Sequence, residues 1–103
     1  MKDSTIRYYD RTGQPISSML AWAKKYEERD YKIVKQTVLD NGKWVSTVWV
    51  GIDHAYGLGP PLIFETMIFA KHGDWHDLDC YRYSTEAEAL AGHEEKCLEW
   101  ASK

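Results

Sequence analysis

The sequence has no apolar run long enough to cross a bilayer, no excess of basic residues and only two cysteines. The first absence argues against a membrane-spanning helix, which needs about 20 consecutive apolar residues. The formal net charge of −3 argues against nucleic-acid binding, which normally requires a basic face. The N-terminal residues resemble no signal peptide, so we expect a cytoplasmic protein in which Cys80 and Cys97 are reduced and buried.

Signatures of catalysis and of cofactor binding are also missing. The sequence contains no P-loop, no dinucleotide-binding glycine motif, no serine nucleophile elbow and no paired catalytic carboxylates. His72 and His76 are four residues apart, but Gly73 between them indicates a loop rather than a helix that would aim both rings at one metal. The sequence therefore predicts neither metal nor cofactor and favours a function other than catalysis, with a weak hydrolase as the enzymatic alternative.

Aromatic residues, by contrast, are abundant, with five Trp and seven Tyr in a chain of 103 residues. Aromatic side chains fill protein cores and are also enriched at binding surfaces. A chain of this length buries enough surface to fold without disulfides or metals. We expect a single domain over residues 1–103.

The N-terminal half of the chain predicts a helix followed by a hairpin. A turn at Gly13–Pro15 leaves room before it for a short edge strand. Apolar residues at helical spacing predict a helix over 17–30, capped by one of its first two serines. Two β-branched, aromatic-rich runs then flank Asn41 and Gly42, a pair typical of the type I′ turn of a β-hairpin.

The C-terminal half predicts two further strands and a helix. The strands are expected over 62–70 and 79–83, with a polar loop between them. The final helix is expected to begin at Thr85, whose spacing from Glu88 fits a capping box. Its predicted buried side consists of Ala87, Leu90, Ala91, Cys97 and Leu98. The resulting fold class is α+β, a four-stranded antiparallel meander with an N-terminal and a C-terminal helix packed on the sheet.

Both faces of the two central strands are apolar in the sequence. An antiparallel sheet normally leaves one face polar, and two short helices cover about one face of four strands. The second face is then covered by the N-terminal segment, a second copy of the chain, a ligand or a partner protein. The simpler alternative is one helix on each face, with nothing left uncovered.

Polar residues near these strands are the candidate site. Asp53 and His54 end a strand and open a glycine loop, where a carboxylate-held His acts either as a general base or as part of the turn. Glu65 is a lone carboxylate in an apolar strand and needs solvent or a partner. Arg82, on the expected neighbouring strand, is its predicted cross-strand partner, and Trp49 is expected beside it. The candidate ligand- or partner-binding residues are Trp49, Asp53, His54, Tyr56, Glu65, Met67 and Arg82.

Two stretches, WVSTVWVGIDHAYGLGPPLIFETMIF and YRYSTEAEALAGHE, resemble a family of small proteins of bacteriophages and prophages. The shared features are the Asp-His strand end, the Gly-Pro-Pro turn, the Phe-Glu-Thr-Met strand and the Tyr-Ser/Thr start of the last helix. The matching positions are Gly51, Asp53, His54, Gly59, Pro60, Pro61, Phe64, Glu65, Thr66 and Met67. The resemblance implies a phage protein in the host cytoplasm and assigns no activity to any residue.

The leading hypothesis is a small phage-type binding protein that inhibits or modulates a host defence protein. Its expected partner is a host or phage protein, with a homo-oligomer as one way of covering the second sheet face. The alternative is a protein that sequesters a small molecule or nucleotide between Trp49, His54, Tyr56, Glu65 and Arg82. Neither nucleic acid nor a membrane is an expected partner.

Overall fold

A computed structural model describes residues 7–53 and 59–103, which form an α+β fold with two antiparallel sheets. In chain order the elements are β1 (Arg7–Tyr9), β2 (Pro15–Ile16), α1 (Met19–Glu27), α2 (Arg29–Lys32), β3 (Ile33–Val38), β4 (Trp44–Trp49), β5 (Ile52–Asp53), β6 (Phe64–Phe69), β7 (Asp77–Tyr83) and α3 (Glu86–Trp100). The larger sheet has the order β3-β4-β6-β7, and the smaller has the order β2-β1-β5.

The predicted fold class, with antiparallel strands and a C-terminal helix, is confirmed. The four predicted strands are those of the larger sheet, and α3 packs on it. The prediction holds only in part for the N-terminal helix, because α1 lies mainly against β1, β2 and α2 and reaches the larger sheet only through side chains, such as Tyr26 against Trp49 with ring centroids 6.4 Å apart. The smaller sheet was not predicted as a sheet, since strands of two or three residues are too short to show a period-two pattern.

The hairpin between β3 and β4 is confirmed, but its predicted type I′ turn is wrong. The Gly42 N–H donates to the Leu39 carbonyl over 2.9 Å, so Asp40 and Asn41 occupy the central positions of that turn. Only Gly42 of these residues has a positive φ, whereas a type I′ turn needs it at both central positions. The Asn41 side chain instead donates to the carbonyl of Trp100, 2.9 Å away, and joins the hairpin to the end of α3.

The predicted capping box at the start of α3 is confirmed. The Glu88 N–H donates to the Thr85 hydroxyl over 3.1 Å, and the Thr85 N–H donates to the Glu88 carboxylate over 3.3 Å. The two side chains thus satisfy backbone donors that lack partners at the first turn of a helix. This cap determines where α3 starts and hence which residues meet the sheet.

The predicted buried side of α3 is wrong. The residues that face the sheet and are buried are Ala89, Gly92, His93 and Lys96. Four of the five predicted residues are exposed instead, and the fifth, Cys97, is half-buried. The reason is that α3 approaches the sheet through a glycine over the Tyr83 ring and through a histidine that hydrogen-bonds the strands, so small and polar side chains form the contact.

His93 is fully buried and bonded through both ring nitrogens. Its Nδ1 lies 2.7 Å from the hydroxyl of Thr47, and its Nε2 lies 2.8 Å from the hydroxyl of Thr37. Thr47 also bonds the hydroxyl of Thr66 over 2.5 Å, so the contact links α3 to three strands. Burial lowers the pKa of His93, because the neutral ring loses less hydration than the charged ring.

The close approach of α3 to β7 gives a stability prediction at Gly92. An added methyl group there would overlap the Tyr83 ring and hydroxyl. We expect Gly92→Ala to lower the free energy of unfolding by about 1–3 kcal/mol, the usual cost of overpacking. Helix propensity alone would instead raise the free energy of unfolding, because it favours alanine over glycine by about 1 kcal/mol. The measurement is urea unfolding followed by circular dichroism.

Ala91→Gly is the matched control for this prediction, because the neighbouring position is exposed and differs by the same methyl group. It should cost only the difference in helix propensity. A Gly92→Ala variant at least as stable as the parent protein would contradict the close packing over Tyr83.

The buried state of His93 gives a pH prediction. Its pKa is below 6.5 in the folded protein and ordinary in the unfolded chain, so the unfolded chain binds more protons just below pH 6.5. The free energy of unfolding should therefore fall as pH drops below 6.5, by at most about 1.4 kcal/mol per pH unit for one proton. His93→Gln should flatten this dependence in urea unfolding between pH 7.5 and 5. The exposed His76→Gln should follow the parent protein, and parallel curves for parent and His93→Gln would contradict the assignment.

Candidate functional site

The face of the larger sheet turned away from α3 is the candidate functional surface. In antiparallel strands, directly opposed residues point to the same face. We call this surface the open face, and its residues follow from the strand register: Gln36, Val38, Trp44, Ser46, Val48, Glu65, Met67, Phe69, Cys80 and Arg82. α3 packs on the opposite side of the sheet. The aromatic side chains of α1 and α2 reach the larger sheet at Trp49, which points to that same opposite side. No helix within 7–53 and 59–103 therefore lies across the open face.

The centre of the open face is apolar. Trp44, Val48 and Met67 are half-buried, and Phe69 is packed against Trp44 with ring centroids 4.9 Å apart. The ring of His72 stands edge-on to Trp44 at 4.8 Å and closes that end of the surface. The surface therefore offers a continuous row of aromatic and aliphatic side chains over two central strands.

The predicted pair of Glu65 and Arg82 is confirmed as a contact. The two residues are directly opposite in β6 and β7, and Arg82 Nε donates to Glu65 Oε2 over 3.1 Å. The Glu65 side chain is 9% exposed and that of Arg82 is 46% exposed, so the carboxylate is buried and the guanidinium reaches solvent. Arg82 thus compensates a carboxylate that would otherwise be costly to bury.

Cys80 lies beside this pair on the open face. Burial, together with the neighbouring Glu65 carboxylate, raises the pKa of the Cys80 thiol to about 11. The thiol is therefore protonated at neutral pH, and a protonated thiol is a poor nucleophile and a poor metal ligand. Although Cys80 was expected to be buried, it is exposed, while Cys97 is half-buried; both are free thiols.

A small pocket lies where the open face meets α1. Its volume is about 230 Å³, and it is lined by Trp22, Tyr26, Val50, Ile52, Glu65 and Arg82. The rings of Trp22 and Tyr26 stack with centroids 4.9 Å apart, and Trp22 Nε1 donates to the Val50 carbonyl over 2.9 Å. The pocket therefore combines an aromatic wall, an aliphatic wall and an ion pair. We call it the Glu65–Arg82 pocket.

Trp49 does not share this surface, and its predicted place beside Glu65 is wrong. The register of β4 and β6 sets Val48 opposite Glu65 and Trp49 opposite Phe64, on the side that faces α3. Trp49 is completely buried, and its Nε1 donates to the Tyr9 carbonyl over 3.0 Å. A shift of one residue in register moves a side chain to the other face, which is why the uncertain loop length misplaced it.

The remaining candidate residues are dispersed. Met67 lies at the centre of the open face, opposite Ser46. Asp53 lies in β5 of the smaller sheet, opposite Arg7. His54 and Tyr56 lie outside the described residues.

The sequence did not identify Trp22 and Tyr26 as site residues. Their spacing in α1 predicted an ordinary core-facing stripe, and both are indeed half-buried. Only the tertiary contact of α1 with the end of β4 places their rings beside Glu65, and no local signal in the sequence encodes that contact. Their aromatic character was the only available indication.

In the part of the chain that the structure describes, no group of three or more His, Cys, Asp or Glu is placed to hold a metal ion. His72 contacts Trp44, while His76 contacts the exposed Trp75, so the two rings have different neighbours. No described helix is long and apolar enough to cross a membrane.

The unequal burial of Glu65 and Arg82 predicts an unequal response to substitution. Arg82→Gln leaves the buried carboxylate without its cation and should cost about 1–3 kcal/mol in free energy of unfolding. Glu65→Gln removes the buried charge and leaves an exposed guanidinium, so it should cost less. In the Glu65→Gln background, Arg82→Gln should then cost little, which a double-mutant cycle in urea measures. Additive effects of the two substitutions would contradict the coupling.

No family model matches the chain, and searches of curated proteins and of solved structures found no significant match.

Proposed function

We propose that this chain is a non-enzymatic binding protein that docks a segment of another protein on the open face. The observation that carries the proposal is the apolar row of Trp44, Val48, Met67 and Phe69, across which no described helix lies. Three of these side chains are half-buried and Phe69 is buried, so the row presents partly exposed apolar surface, a common property of protein interaction sites. The mixed lining of the Glu65–Arg82 pocket supplies the polar contacts that orient a partner.

The pocket supports an aromatic anchor with a polar tip, Tyr or Trp, as the partner residue that enters it. Its volume of about 230 Å³ suits one large side chain. The rings of Trp22 and Tyr26 offer stacking surface, and the Glu65–Arg82 pair offers a hydrogen-bond acceptor and donors. Aromatic anchors in desolvated pockets dominate the binding energy of many interfaces.

Two features favour a protein segment over a free small molecule or nucleotide. Sites for small-molecule ligands usually enclose about 300–1,000 Å³, more than the Glu65–Arg82 pocket. Trp49, one of the rings expected to stack on such a ligand, is fully buried. A small pocket beside a row of apolar side chains is instead typical of a protein interface.

The resemblance to bacteriophage proteins supports a partner in the infected host cell. We propose that the open face binds and thereby blocks a host defence protein, a role that requires no catalytic group. This role is consistent with a protonated Cys80 thiol beside the pocket.

The anchor is tested with p-cresol, the side chain of tyrosine as a free molecule, and with toluene, which lacks the hydroxyl. At about 0.3 kcal/mol per heavy atom, p-cresol should bind with a Kd on the order of 10 mM. Saturable NMR shifts are expected at the Trp22 indole N–H and the Arg82 Nε–H, with weaker binding of toluene. Arg82→Gln should weaken binding of p-cresol, while Leu20→Gln, at an exposed position of α1, should not. No saturable shift at Trp22 would reject the anchor.

The docking surface is tested by substitution at its centre. Met67→Glu should abolish capture of a host protein that the parent chain retains from lysate, while Leu20→Glu should leave that capture intact. Equal capture by the parent and both variants would reject the open face as the surface. A dimer in light scattering that Met67→Glu dissociates would assign the open face to a second copy of the chain and overturn the proposal of a different partner.

A further inference from the structure

The exposed side of α3 carries an apolar stripe that the fold does not use. The stripe consists of Ala87, Leu90, Ala91 and Leu98, all exposed, with Leu98 at 79%. Within the described residues α3 packs on the four strands of the larger sheet through its opposite side, and its two ends are tied down by Arg11 at Glu86 and by Asn41 at Trp100. We call this stripe the outer stripe of α3.

The spacing of the outer stripe is that of a helix–helix contact. Ala87, Ala91 and Leu98 are separated by four and seven residues, so they fall on one line along the helix. Eleven residues of helix span about 16 Å, or three turns. Two alanines allow a second helix to approach closely at one end, and the leucine provides a knob at the other.

The charges around the outer stripe determine which kind of partner helix can bind there. α3 contains five Glu and one Lys. Glu88 and Glu95 flank the stripe on one side, and Glu95 makes no hydrogen bond or ion pair with another described residue. Glu94, seven residues after Ala87, lies on the line of the stripe itself, where its charge is compensated by Lys35 of β3. A partner with basic residues beside its apolar line would complement this border.

A groove beside the outer stripe can accommodate the basic side chains of such a partner helix. It encloses about 480 Å³ between α3 and β7. Its charged lining residues are Glu88, Glu95 and Arg82, of which Arg82 is already paired with Glu65, and its other lining residues are Leu62, Tyr83, Ser84, Ala91 and Gly92. A lysine or arginine from a helix lying along α3 can bury its aliphatic stem against Leu62 and Ala91 while its charge meets Glu95. The groove and the stripe therefore form one surface of apolar floor and acidic rim.

We propose that the outer stripe of α3 docks a basic amphipathic helix of a second protein, at a surface that, among the described residues, meets the open face only at Arg82. A second copy of this chain is a poorer occupant, because pairing two α3 helices would bring their glutamates together, and like charges at such positions oppose association. The proposal stands independently of the function assigned to the open face.

The test uses two synthetic amphipathic helices of about 15 residues, long enough to form several turns. One has leucines on one face and lysines beside them, and the other replaces every lysine by glutamate. The leucine–lysine peptide should bind, with NMR shifts confined to α3, Leu62 and the end of β7. The leucine–glutamate peptide should not bind.

Variants of the protein distinguish docking of the leucine–lysine peptide on the outer stripe from its general electrostatic attraction to an acidic protein. Leu98→Gln should weaken binding about tenfold, as the loss of an interface anchor does. Glu95→Lys should weaken it by a similar factor and reduce its salt dependence. Leu20→Gln, equally exposed on α1, should have no effect on binding.

Three results would overturn the proposal. The first is equal binding of both peptides. The second is a loss of binding in Glu95→Lys without any loss in Leu98→Gln, which would show charge attraction alone. The third is self-association in light scattering that Leu98→Gln abolishes, which would give the stripe to a second copy.

Discussion

The packing of the Trp49 indole is the contact on which both sheets and the pocket depend. Trp49 is the last residue of β4. Its indole is completely buried and donates to the Tyr9 carbonyl in the smaller sheet. Gly51 follows with a φ of 69°, and a side chain there would overlap the rings of Trp49 and Trp22. The chain can therefore leave the larger sheet and enter the smaller one only with glycine at this point. Because Trp22 is held against the same backbone, through its bond to the Val50 carbonyl, the aromatic wall of the Glu65–Arg82 pocket is a consequence of this junction.

Local signals in the sequence predicted local structure well. The hairpin, the capping box at Thr85 and the strand around Glu65 were predicted because each depends on neighbouring residues. The contact of Glu65 with Arg82 was also predicted, since adjacent strands of a meander place opposed residues together. The face of α3 and the position of Trp49 were not predicted, because both depend on which distant surfaces pack together. α3 has two sides that could face the sheet. The sequence favoured the more apolar side, but the side with Ala89, Gly92, His93 and Lys96 packs on the sheet.

The contact between α3 and the larger sheet includes His93 and Lys96 beside Ala89 and Gly92, while the larger apolar residues Leu90 and Leu98 lie among glutamates on the exterior of the helix. His93 forms a network with three threonine hydroxyls, of which those of Thr47 and Thr66 are fully buried, and Lys96 lies over the Tyr81 ring at 3.6 Å. Such a contact is specific, because every buried donor and acceptor needs its own partner at a set distance. Hydrogen bonding therefore fixes the rotation of α3 on the sheet. It also holds the outer stripe away from the core, where the hydrophobic effect alone would have placed it.

The position of these apolar residues bears on function, because apolar side chains lie both on the open face of the larger sheet and on the outer side of α3. The open face lies on one side of the larger sheet, and the outer stripe of α3 lies beyond the helix on the other. Departures from the usual pattern of apolar interior and polar exterior are concentrated at functional sites in natural proteins. The borders of the two surfaces differ in charge: the open face has a neutral ion pair at its pocket, while the outer stripe has an acidic rim. Since a partner is selected by the match of charge as well as by apolar contact, surfaces so different suit two different partners. The hydrogen bonds of His93 to Thr37 and Thr47 join α3 to the sheet and so set how the two proposed surfaces are placed relative to each other.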